Sequence, residues 1–148
     1  MSNENVAFIG PDGIFVDALL NQMGDAGEGI YVTFGGIPPA ELGETGQEFI
    51  DKYNENYDDV VQPYTAYAYE AANVMLDAIE KASEDAGGEV PDRQAVVEQV
   101  LATEDYEGVL GTWSFDEDGD TTLTKLSVQT VEGGEFKLER ILDVAELQ

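Results

Sequence analysis

Apolar residues fall in short blocks along the chain, and their spacing switches between strand-like and helix-like. Val6-Ala7-Phe8-Ile9 is an unbroken apolar run, the pattern of a short buried strand, and Gly10-Pro11-Asp12-Gly13 closes it. Phe15, Ala18, Leu19 and Met23 follow at helical intervals, with Gly24 as the stop signal. Gly29-Ile30-Tyr31-Val32-Thr33-Phe34 is a second β-rich run. Strand, helix and strand in this order predict parallel pairing through a right-handed crossover. Gly35-Gly36-Ile37-Pro38-Pro39 then breaks the pattern, as a loop or a crossing between lobes.

Phe49, Ile50, Tyr53 and Tyr57 predict an amphipathic helix over residues 44–57, followed by a second break over 58–63. Ala68, Ala72, Met75, Leu76 and Ile79 line one face of a long helix ending near Ala82, which makes that face its expected core side. A polar loop over 83–91 leads to Asp92, an N-cap for a helix carrying Val96, Val97, Val100 and Leu101. Leu126, Val128 and Thr130 alternate with Lys125, Ser127 and Gln129, as in a half-buried strand. Glu132-Gly133-Gly134-Glu135 is a hairpin turn, and residues 136–142 form the returning strand. The fold class is therefore α/β, with a parallel sheet, helices and a carboxyl-terminal β-hairpin.

Composition narrows the chemistry. The 148 residues suffice for one ordinary core. No apolar run reaches the length of a membrane span, and nothing at the start reads as a signal peptide. The entry into a strand directly after Met1-Ser2-Asn3-Glu4-Asn5 is abrupt for an exported protein, and reads as the edge of a piece of a longer chain. The sequence contains no Cys and no His, which removes disulfides, thiolate chemistry, Cys-ligated zinc and the commonest general base. Thirty-two acids stand against six bases, for a net charge of −26. Nucleic acid is excluded as a partner because a phosphate backbone needs clustered Lys and Arg, and anionic membrane surfaces are disfavoured for the same reason. Such self-repulsion weakens a compact state in dilute buffer, and at ~1 M salt the screening length falls to ~3 Å. The acid excess with few lysines reads as salt adaptation in a halophile, against the plainer alternative of an acidic secreted protein.

Three motifs stand out, and each has a plainer reading. Asp12 follows the carboxyl end of a strand, where ligands bind in open parallel sheets, and its side chain suits a ligand ammonium. The alternative is that Asp12 only caps the next helix or shapes the turn. Tyr64, after Pro63 and ahead of a helix, can wall a pocket or simply pack; Tyr67 and Tyr69 read as core or lobe-interface residues. In Gly111-Thr112-Trp113-Ser114-Phe115-Asp116-Glu117-Asp118-Gly119-Asp120 the chain folds back. Counted from Asp116, an EF-hand calcium loop needs Gly and Glu where this chain has Thr121 and Ser127, so an acidic turn with Asp118-Gly119 at its tip is the reading. Ser and Thr nucleophiles lack a His partner, Gly35-Gly36 leads to prolines rather than a phosphate-cradling helix, and paired acids in so acidic a chain carry little meaning. Binding, without metal or cofactor, is favoured over catalysis.

In this order the motifs resemble the carboxyl-terminal part of type I periplasmic solute-binding proteins, the branched-chain amino acid family that serves ABC importers. The resemblance rests on Gly10-Pro11-Asp12-Gly13 after a strand, Glu28-Gly29-Ile30-Tyr31-Val32-Thr33, Pro63-Tyr64 with Tyr69-Glu70-Ala71-Ala72, the Gly111 to Asp120 stretch and the Gly133-Gly134 hairpin. It implies two α/β lobes with an amino acid held in the cleft between them. Residues 1–34 and 122–148 would then belong to the second lobe and 35–121 to the first, with the amino-terminal portion of both lobes lacking. It further implies that Asp12 binds the ligand ammonium and that Tyr64 contributes to the pocket. Asp12 replaces the longer Glu of close relatives, which leaves ligand choice open. Implied partners are an ABC permease and an extracytoplasmic compartment for the full-length protein; a ligand-sensing domain of a receptor or regulator is the alternative. A piece of this kind would bind amino acids weakly at best, and would expose apolar edges prone to self-association.

Overall fold

Strand β5 (Lys125–Glu132) is central to a four-stranded sheet. It lies in the first of two compact units into which the chain divides, Met1–Pro38 with Thr124–Gln148; the second is Pro39–Leu123. The computed structural model describes residues 6–57 and 61–147; the chain start at residues 1–5 and part of the break expected over 58–63 lie outside the described residues.

In the first unit the strands β1 (Ile9–Gly10), β2 (Tyr31–Phe34), β5 and β6 (Glu135–Asp143) are ordered β1–β2–β5–β6. β1 and β2 are parallel, as the strand–helix–strand pattern predicts, with helix α1 (Asp17–Met23) in the connection. β5 runs antiparallel to both its neighbours. Gly24 ends α1 at φ 52°, a left-handed conformation that glycine adopts freely, and its N–H bonds the Leu20 carbonyl. The hairpin turn joins β5 to β6 through Gly133 and Gly134 at φ 64° and 76°, the two positive values of a type I′ turn. Phe15, Leu20, Ile30, Val32, Phe34 and Val131 are buried. The Phe15 ring meets Phe34 and Phe136 edge-on, at centroid distances of 5.6 and 4.8 Å.

Two expectations fail in this unit. β1 is only two residues long, and Val6, Phe8 and Ile9 are exposed rather than buried. It is the edge strand, paired with β2 alone. In β5 the inward set is Ser127, Gln129 and Val131, with Thr130 also buried, whereas Leu126 and Val128 are only half-buried. Register decides this, because Ser127 lies opposite Phe34 and Gln129 opposite Val32, both of them buried.

The second unit is mostly helical. It holds α2 (Glu44–Asn56), α3 (Thr65–Asp85), α4 (Arg93–Leu101) and an antiparallel ribbon of β3 (Tyr106–Gly108) and β4 (Gly111–Trp113). The Asp92 carboxylate caps α4, accepting the Ala95 N–H at 2.9 Å, a bond worth ~1 kcal/mol. The acidic turn forms as expected. Asp116 Oδ1 accepts the N–H groups of Asp118 and Asp120, and Gly119 sits at φ 84°.

The expected core face of α3 is corrected. Its buried row is Ala66, Glu70, Val74, Ala78 and Ala82, whereas Met75, Leu76 and Ile79 are exposed, with Ala68 and Ala72 beside them. Small side chains every fourth residue let the rest of the unit approach closely, and Glu70 finds its hydrogen-bond donors on that side. Tyr69 is likewise not a core residue. It is 47% exposed, with its ring 4.6 Å from that of Phe49.

Candidate functional site

The turn carrying Asp12 begins where β1 ends. Pro11 is extended, Asp12–Ile14 make one 3-10 turn, and the Asp12 carbonyl accepts the Phe15 N–H at 2.8 Å. A Cβ on Gly10 would fall 2.1 Å from Ile14 Cδ1, so that the Ile14 side chain would have to shift to admit it. Gly13 has no such neighbour and no positive φ. Asp12 is exposed, and the N-cap positions of this turn and of α1 are Pro11 and Val16, neither of which makes a side-chain capping bond. α1 starts later, at Asp17, behind Val16. Asp12 is not the N-cap residue of either helix, and its backbone carbonyl helps to shape the turn.

Tyr64 occupies the N-cap position of α3 in the second unit and is 42% exposed. The start of α3 is fixed by its neighbours, since Gln62 N–H donates to Thr65 Oγ1 at 3.0 Å and Thr65 N–H donates to the Gln62 carbonyl at 3.0 Å. This reciprocal pair holds Tyr64 at a defined backbone position without using its own side chain as the cap. Asp12 and Tyr64 thus sit on well-defined turns, each within its own unit.

Two carboxylates, Glu70 and Glu28, named within the motifs above but given no role there, carry much of the local order. Glu70 is 2% exposed. Its oxygens accept Val109 N–H at 2.8 Å, Leu110 N–H at 3.4 Å and the Trp113 indole N–H at 2.8 Å, tying α3 to the β3–β4 ribbon. Gly108 makes room for it, as a Cβ there would lie 2.1 Å from Glu70 Oε1. Burial, then the nearby Asp77 and Glu70, pushes the Tyr106 phenol above its ordinary value. A Glu at four-residue spacing among Ala and Val, in a chain with a single Trp to donate, was the available signal. In the first unit, Glu28 accepts Gly133 N–H at 3.0 Å and Gly134 N–H at 2.6 Å, clamping the hairpin turn. Beside that turn an open notch of about 480 Å³ has Phe15 and Phe136 as its aromatic wall and Asp17, Asn21 and Glu135 as its polar groups. Asp12 does not line it. Among the described residues no cluster of three or more acids could hold a metal ion, and no helix is long and apolar enough to cross a membrane.

The family model described as periplasmic binding protein matches residues 2–135. The chain belongs to the periplasmic binding protein family. Its members are solute-binding proteins rather than enzymes, and the fold is that of the type I class. Among solved structures, the leucine-binding protein LivK of Thermotoga maritima is 27% identical at a TM-score of 0.78, over 96% of this chain and 39% of its own. The branched-chain amino acid transporter substrate-binding protein LivJ of Streptococcus pneumoniae, solved with isoleucine, shares the fold at 23% identity and TM-score 0.72, over 94% and 37%. An ABC transporter solute-binding protein of Rhodopseudomonas palustris, solved with p-hydroxybenzoic acid, does so at 19% and 0.67, over 95% and 37%. The chain thus spans well under half the length of these binding proteins. A search of curated proteins gives no match.

Proposed function

We propose that this chain is the carboxyl-terminal portion of the binding component of an ABC importer for branched-chain or other amino acids. Residues 1–34 and 122–148 would form part of its second lobe and 35–121 part of its first. The reading is carried by the turn after β1, where Asp12 is exposed and is not the N-cap of the 3-10 turn or of α1. It is supported by the likeness to the leucine-binding protein. Asp12 takes the ligand ammonium in a charge-assisted hydrogen bond, and the Tyr64 ring and hydroxyl contribute to the pocket. The complete protein works outside the cytoplasm and hands its ligand to a permease. The exposed Met75, Leu76 and Ile79 on α3 are where further chain of a relative-length protein packs. The acid excess is an adaptation to high salt.

Calorimetry tests the site. In a polypeptide of the relatives' length, Asp12→Asn should weaken leucine, isoleucine or valine binding by about 1.5–3 kcal/mol, the worth of one hydrogen bond to a charged group. Unchanged affinity would remove Asp12 from the site. The 148 residues alone should bind these ligands weakly or not at all, and micromolar affinity would overturn the partial-site reading.

A further inference from the structure

We infer that Ser127 and Gln129 hold an ordered water molecule inside the first unit, beside the β-bulge of its hairpin. Ser127 is fully buried and Gln129 is 2% exposed. They are successive residues on one face of β5, opposite Phe34 and Val32. Among the described residues no protein group pairs with Ser127 Oγ or with Gln129 Nε2. A buried amide or hydroxyl left bare is destabilising, and ordered water is the usual remedy where several polar groups converge.

The ladder is interrupted at the same place. Pairing jumps from Val128 opposite Arg140 to Gln129 opposite Leu138, which leaves Glu139 as the extra residue of a bulge. The extra residue of a bulge lies outside the regular ladder, so its backbone adds polar groups next to the pair. An amide donor and a hydroxyl that donates or accepts supply two of the two to four partners that an internal water takes. Burial is uneven around the pair. On β2, Val32 and Phe34 are 0% and 2% exposed, whereas Leu138 and Ile141, the β6 partners of Gln129 and Ser127, are 37% and 36% exposed. The site therefore sits at the margin of the covered face, where water can enter from the β6 side. The in-register neighbours Val32, Phe34, Leu138 and Ile141 are apolar and offer no charge to a larger or ionic occupant.

Water-oxygen magnetic relaxation dispersion on the unmodified chain should count at least one long-lived internal water, and the count should fall by one in Gln129→Leu and in Ser127→Ala. Each single variant should raise the unfolding equilibrium constant by roughly tenfold. The double variant should lie within about threefold of the worse single, because the same molecule is lost once. The inference fails if the unmodified chain holds no long-lived water, if the single variants are as stable as the parent or more so, or if their losses simply add. Should a variant not fold, the relaxation count on the parent decides alone.

Discussion

In the first unit, Met1–Pro38 with Thr124–Gln148, ten acids stand against three bases; in the second, Pro39–Leu123, twenty-two stand against three. The interiors differ as well. The first unit is centred on a sheet and packs Phe15 against Phe34 and Phe136. The second threads a row of small side chains along α3 and sets one carboxylate, Glu70, against two backbone amides and an indole. The sheet unit therefore draws its order mainly from apolar contact, which salt scarcely weakens. The helical unit combines a denser surface charge with a buried polar joint that cannot lose a member cheaply.

The sharpest way to break that contrast is Glu70→Ala. It leaves the Val109 and Trp113 donors bare inside the second unit and should cost roughly 3–5 kcal/mol in denaturant unfolding, with a red shift of Trp113 fluorescence. Gly108→Ala should act through the same joint, so its cost should add little to that of Glu70→Ala. A loss below about 1 kcal/mol would show that the joint is not what orders this unit.

Salt comes next. Moving from ~0.1 M to ~1 M KCl shortens the screening length from ~10 Å to ~3 Å. The second unit, which contains the only Trp, should gain more stability than the first. Trp113 fluorescence reads the second unit, and amide exchange in β5 and β6 reads the first. Among the described residues the exposed Lys137–Glu135 contact is the ion pair found, so little pairing is lost to offset the gain. Equal gains in both units would remove the link between charge density and salt response.

A smaller effect belongs to the sheet unit. Glu28→Ala removes the clamp on Gly133 and Gly134 and should cost about 1 kcal/mol, since its bonds are solvent-exposed. Amide exchange should quicken at the turn and leave α3 untouched.

The smallest effect concerns Asp143. Hydrogen bonds from the Thr124 side chain and the Ala145 backbone, aided by Lys125, hold its carboxyl below the ordinary value of 3.8. A depressed carboxyl stabilises the fold above its unfolded pKa, and the contribution fades as pH falls through the folded one. The loss therefore lies below pH 3.8, and Asp143→Asn should abolish that small part of the acid dependence. Carboxyl titration by NMR checks the direction, and a pKa above the ordinary value would refute it.

Elements whose pattern is closed by local chemistry are legible in the order of residues. Gly24 stops α1, Asp92 caps α4 and Gly133-Gly134 turns the hairpin, and each acts through the backbone of its nearest neighbours. The Gly10-Pro11-Asp12-Gly13 turn is legible too, but not the division of labour within it, where Gly10 answers to Ile14 and Gly13 to nothing nearby. Sidedness is not legible. In α3 and in β5 the expected period is right and the expected buried face is wrong, because period states which residues share a face and the neighbours decide which face is covered.

The order of apolar blocks, the stop and cap residues, the acid excess and the lack of Cys and His were determined by the sequence alone, because each depends on residue type and on contacts a few positions away. Only the tertiary structure decided that Glu70 meets Val109 and Trp113, that Glu28 reaches Gly133 and Gly134, and that Ser127 and Gln129 turn inward. These side chains are polar, so composition assigns them to solvent. For Glu70, donors brought from a distant part of the chain make burial tolerable.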